Sequence, residues 1–210
     1  MPVRRPGGTF GIVLAIALVL RGAVAPVPVA FADGAWLDGP LPSWNAPGQP
    51  VPGPTEAVNR ANADPRCLSS ARPRDTAEDT QVEQAGWILV DAYTAGWETR
   101  IVRGTSRFDG MCRPNNFQVF VFYQGVFAGT LSPQEMMART DGALGEVALF
   151  GPGALGGPIQ LMGTFQRYTQ QDPLCCPSAR TRVTYSLVLE NGQPVVRATR
   201  ADAVPTMPPD

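Results

Sequence analysis

The sequence predicts a mainly β fold bordering on α+β: one antiparallel sheet of about six to eight strands, a short N-terminal helix, one helical turn and disulfide staples. Three observations lead there. Segments with period-two apolar alternation recur after Gly86, joined by short turn signals. No strand–helix alternation or internal repeat of the kind a parallel sheet needs is present. Finally, four cysteines follow what reads as an export signal, so cross-links are expected to supplement the core.

Taken in order, Asp75 to Ala85 carries Glu and Gln at helical density around Ala77, Val82 and Ala85, and Gly86 stops it. Trp87-Ile88-Leu89-Val90 reads as a buried strand, and Thr99 to Thr105 as a second, exposed one. Phe117 to Gln124 is the strongest core segment. Phe117, Val119, Val121 and Tyr123 share one face and Phe120 and Phe122 the other, which places it mid-sheet or under a helix. Gln124-Gly125 reverses the chain into Val126-Phe127-Ala128. Ser132-Pro133-Gln134-Glu135 has the form of a capped helical start, opening one or two turns through Ala138. Gly145 to Phe150 and Pro158 to Thr169 read as further strands, with a mobile glycine-rich connection between them. The clearest hairpin follows: Thr181, Val183, Tyr185, Leu187 and Leu189 alternate up to Asn191-Gly192, and Val195-Val196 returns.

The ends divide the chain. Arg4 and Arg5, the apolar run Thr9–Leu20 and the Ala30-Phe31-Ala32 site form a secretory signal over residues 1–32; Arg21 ends the run too early for a membrane span, and general secretion fits better than a twin-arginine route. Cleavage leaves 14 Arg against 18 acids, a charge of −4, which speaks against nucleic acid or an anionic membrane as partner. Residues 33–74 hold prolines at 40, 42, 47, 50, 52, 54, 65 and 73 and read as an extended tether, with Trp36 and Trp44 either lying on the domain or docking a partner. The folded domain spans 75–204 and a tail 205–210.

The chain has no His, and all 17 basic residues are Arg. Ser-His-Asp and Cys-His nucleophiles, imidazole metal sites, Schiff-base lysines and the P-loop lysine are therefore excluded, and no cofactor is implied. Cys67, Cys112, Cys175 and Cys176 are expected to be oxidised. A bond between neighbours Cys175 and Cys176 is disfavoured, because adjacent α-carbons lie closer than disulfide geometry prefers. In an extended stretch the two point to opposite faces, so each is expected to reach one of Cys67 and Cys112. Adjacent cysteines without Cys-x-x-Cys spacing are poor zinc or redox sites.

Phe117-Gln118-Val119-Phe120-Val121-Phe122, Gln124-Gly125-Val126-Phe127-Ala128-Gly129-Thr130, and Asp172-Pro173-Leu174-Cys175-Cys176-Pro177-Ser178 with the following Val183-Thr184-Tyr185 resemble the LppP/LprE family of lipoproteins and their unlipidated relatives. The resemblance covers about residues 86–200, and its Cys-Cys-Pro-Ser run is the specific part. It implies an exported, envelope-associated domain and carries over no catalytic residue. Cys67 is the first cysteine, so a lipobox is lacking, which favours an extracellular or periplasmic form without a lipid anchor.

Carboxylates remain the main catalytic option. Asp109, Glu135, Asp141 and Glu146 could cleave glycosides if two were held about 5–10 Å apart, though each also has a turn, cap or strand role. Arg100, Arg103 and Arg107 form either a stripe for anionic groups or a solvated face paired with local acids. The loops Asp109–Pro114 and Asp172–Pro177, expected to meet through a bridge, are the first candidates for a binding surface, with Asp109, Arg113 and Asp172 as its residues. A non-catalytic binding domain for an envelope component or protein is thus the leading reading, ahead of a glycan hydrolase or a secreted inhibitor.

Overall fold

In the computed structural model, which describes Met1 and residues 34–56, 64–152 and 157–204, the expected helix is α2 (Ala77–Gln84). All but Met1 of the expected signal segment, the tail and most of the glycine-rich connection lie outside the described residues. Helix α2 starts with a reciprocal capping box between Thr76 and Asp79. Asp79 is fully buried; its carboxylate also accepts from Asp75 N at 3.0 Å and from both Arg72 terminal nitrogens, at 2.7 and 2.5 Å. Burial pushes the Asp79 carboxyl up, but Arg72 and the backbone N–H groups outweigh it and hold the carboxyl below its ordinary value. Asp79→Asn keeps the shape and removes the charge, and is expected to cost about 2 kcal/mol near pH 7. The sign follows from the lowered folded value. The contribution is complete above the unfolded carboxyl range, about pH 4, and is lost as pH falls through the folded value. Urea unfolding of both proteins across pH checks it: the difference should close in acid, and a difference independent of pH would contradict the assignment.

Strands β1 (Ile88–Gly96), β2 (Thr99–Phe108), β3 (Pro114–Tyr123) and β4 (Val126–Thr130) form one antiparallel meander. β3 is apolar on both faces for the reason its sequence suggested. Phe120 and Phe122 pack with Val82 of α2, Trp87 and Phe127 on one side, while Phe117, Val119 and Val121 face the opposite core. β2 was expected to be exposed and is not. It runs between β1 and β3, covered on both faces, with Thr99, Thr105 and Ser106 buried. Gly104 permits this: a Cβ there would stand 2.8 Å from the Trp87 Cβ. Both Gln124 (φ 51°) and Gly125 (φ 78°) take the left-handed conformations of a tight hairpin, and so, without any Gly or Asn, do Trp97 and Glu98 at φ 46° and 59°.

A second meander, β5 (Leu144–Phe150), β6 (Ile159–Arg167), β7 (Ala179–Glu190) and β8 (Gln193–Val204), makes eight strands in two sheets rather than one. Thr181, Val183, Tyr185 and Leu187 point inward from β7, whereas Arg180 and Arg182 face solvent. The sheets close on a shared core, where the buried Tyr185 hydroxyl donates to Leu131 O at 2.5 Å. The helical turn expected from Ser132 does not form. Gln118 Nε2 donates to Ser132 O and Gln134 O, and the Met136 backbone exchanges two 2.8 Å bonds with Phe117, so the carbonyls a helix would need are already taken.

Residues 34–56, expected as a tether, are instead packed on the domain as an extended strap. Trp36 is 2% exposed, edge-on to Trp44 and to Phe165 of β6. Asn45 is buried between sheet edges: its amide donates to Thr130 O of β4 and Val196 O of β8, each at 3.0 Å, and its oxygen accepts from Thr130 N. Further on, Trp87 Nε1 donates to Pro52 O. The prolines keep the strap extended, as expected, but its side chains join two strand edges that lack ladder partners there.

The cysteine pairing also differs from expectation. Cys67 of α1 (Pro65–Leu68) bonds Cys112 in the β2–β3 connection, with α-carbons 4.7 Å apart, and Cys175 bonds Cys176. Cys175 and Cys176 are not in an extended stretch. Cys176 N donates to Pro173 O, and this tight turn removes the opposed side-chain directions that the expectation relied on.

Candidate functional site

At the end of the sandwich that carries α1, a cavity of about 330 Å³ opens between the sheets. Arg103 of β2, Arg113 of the β2–β3 connection, Phe117 of β3, Arg139 of the β4–β5 connection, and Tyr168 and Cys175 of the β6–β7 connection line it. The two loops singled out from sequence thus both border one groove, although no disulfide joins them.

Of the three candidate residues, only Arg113 lines the groove. Asp109 folds its own loop: Oδ1 accepts from Met111 N at 2.9 Å and Arg113 N at 3.0 Å, and Oδ2 from Arg113 Nε at 2.6 Å. Burial pushes the Asp109 carboxyl up, but these donors hold it below its usual range. Asp172 does the same for the Cys-Cys loop, accepting from Thr169 N, Ser178 N and Ser178 Oγ at 2.8, 3.0 and 2.9 Å. Those backbone donors draw its carboxyl down to about 2. Its ordering effect is therefore complete above about pH 4, the unfolded carboxyl range, and is lost as pH falls through the lowered folded value. The Thr169 and Ser178 amide resonances should accordingly titrate together with a midpoint near 2. A midpoint at the ordinary carboxyl value would contradict this loop geometry.

Arg103 crosses from one sheet toward the other. It pairs with Asp91 at 2.8 Å, donates to Gly145 O of β5 at 3.4 Å and lies 5.2 Å from the Phe117 ring centroid. Arg100 and Arg107 do not join it in a stripe; they pair with Glu78 at 3.5 Å and Glu56 at 2.9 Å, matching the local-acid alternative. Arg139 is exposed, sits at φ 64°, and makes no ion pair among the described residues. The Tyr168 hydroxyl lies 3.3 Å from both Gln166 Oε1 and Leu174 O.

The four candidate carboxylates are spread out. Asp109 serves Arg113, Glu135 accepts from Thr55 N, Asp141 accepts from Arg167 Nε and Tyr168 N, and Glu146 is exposed on β5. The groove holds one carboxylate, Asp91, and a cavity of about 280 Å³ under the strap holds one, Glu135. A shallow depression beside α2 contains Glu78 and Glu98, but Glu78 pairs with Arg100 and Glu98 accepts from Gln124 Nε2 at 2.8 Å. Among the described residues no group of three Cys, Asp or Glu is placed to hold a metal ion, and no helix is long and apolar enough to cross a membrane.

Arg139, Tyr168 and Gln166 were not marked by sequence. They come from segments that meet only when the sheets close, and a left-handed arginine carries no local signature. Searches of family models, curated proteins and solved structures find no match to this chain, so the groove's own chemistry carries the functional reading.

Proposed function

We propose that this chain is an exported, non-catalytic binding domain of the cell envelope, of the LppP/LprE-like kind its sequence resembles, and that its ligand sits in the groove between the Arg113 and Cys175 loops. The observation that carries the reading is the convergence of both sheets and both cross-linked loops on one walled cavity. Its polar lining offers guanidinium, phenol and amide groups, which suit recognition, beside a single carboxylate, where general acid–base hydrolysis of a glycoside calls for two. Cross-linking of the cysteines supports an oxidising compartment.

The test fills the groove. Gly145 lines it, is exposed, and an added Cβ meets nothing closer than Thr164 O at 3.5 Å, so Gly145→Phe adds a ring beside the cavity at a position with room for a side chain. Immobilised wild type should retain a component from envelope extracts or purified cell-wall glycan that the filled variant does not, with both melting at similar temperatures. Equal retention by the two proteins would end the reading. Release of cleaved glycan would replace it with the hydrolase, and capture of one stoichiometric protein with the inhibitor.

A further inference from the structure

The charges around the groove run against those of the chain. The protein is net acidic, yet three arginines line this cavity against one carboxylate. They are not equivalent. Arg113 is neutralised from behind by Asp109, at 2.5 Å. Arg103 is shared with Asp91, whose side chain is 51% exposed and can yield to a competing anion. Arg139 is exposed at the rim with no ion pair among the described residues, on a backbone that a β-carbon disfavours. Tyr168 and Cys175 line the same cavity.

We propose, resting on the reading of the groove as the ligand site, that its ligand is a monosaccharide-sized anion, a carboxylate- or phosphate-bearing group held by Arg139 and Arg103 with its body against Tyr168. A guanidinium fork recognises either oxyanion in the same way. A cavity of about 330 Å³ accommodates one sugar ring with its substituent. Asp91, once displaced from Arg103, is placed to accept from ligand hydroxyls.

The experiment titrates the purified, oxidised protein with glucuronate, glucose 6-phosphate and glucose by calorimetry in dilute salt. At least one charged probe should bind ten-fold or more tighter than glucose and weaken as salt is raised. Arg139→Gln should lower that affinity about ten-fold with an unchanged melting temperature, and Arg139→Lys should restore part of it. The ratio of glucuronate to glucose 6-phosphate affinity separates the two sources of the anion. Glucose binding as well as the charged probes, no charged probe binding, or indifference to Arg139→Gln would each overturn the inference. Gly145→Phe distinguishes the two levels. Loss of glucose binding in that variant leaves the groove a ligand site and removes only the anion; binding that ignores the filled groove removes the site as well.

Discussion

Trp36→Ala is expected to destabilise the fold by about 3–5 kcal/mol, the range for emptying a fully buried tryptophan site. The indole is 2% exposed and stands edge-on to Trp44 at 5.3 Å and to Phe165 at 5.1 Å, so its removal opens the core that both sheets share. The strap cannot collapse to fill the space, because Asn45 pins it to β4 and β8 a few residues later. The Trp36 N–H has no partner among the described residues, so Trp36→Phe, which keeps a ring, should lose much less. Urea unfolding of the three proteins measures this. A loss below about 1 kcal/mol for the alanine variant would return residues 34–56 to the status of a tether. Limited proteolysis bears on the same point, since rapid trimming to near residue 60 without loss of stability would contradict the packing.

Removing the Cys67–Cys112 bond by the double change Cys67→Ser and Cys112→Ser should cost about 4 kcal/mol. That is the chain-entropy value for a loop spanning a sequence separation of 45. The bond ties α1 to the β2–β3 connection, so the loss should reach the Arg113 side of the groove too. Replacing both Cys175 and Cys176 by Ser should change unfolding by less than about 1 kcal/mol, since neighbours enclose no further chain whose entropy could be reduced. Chemical denaturation of the two double variants, compared with wild type under non-reducing conditions, separates the cases. Equal effects would show that the pairing is the crossed one expected from the sequence.

Much of the architecture was legible because the signals were local. The two-faced apolar run Phe117–Tyr123, the alternation from Thr181 and the Asn191-Gly192 reversal each depend on residues a few positions apart, and each appears as read except that Leu189, at the end of the alternation, is exposed. Local signals also misled. Ser132-Pro133-Gln134-Glu135 has a helix-start pattern, but the Gln118 side chain, from a different strand, binds the carbonyls the helix would use. The Trp97–Glu98 turn has the left-handed geometry of an Asn-Gly turn without its residues, so nothing nearby announced it. In the candidate site, both loops contribute to one groove, while two of the three residues named for them, Asp109 and Asp172, do not line it. Asp109 and Asp172 are turn residues whose carboxylates are consumed by neighbouring N–H groups.

By itself, then, the sequence determined the strand set, the helix, two of the tight reversals and a chemistry without imidazole or lysine, because alternation, capping and turn preferences act over less than about one element's length. The tertiary structure decided the division into two sheets, the seating of Trp36 and Asn45 against both, the partner of each cysteine and the arginine-lined groove. Those depend on which distant surfaces exclude water together. Burial free energy follows total apolar area rather than order along the chain, so many arrangements of the same strands satisfy the local rules and only close packing selects among them.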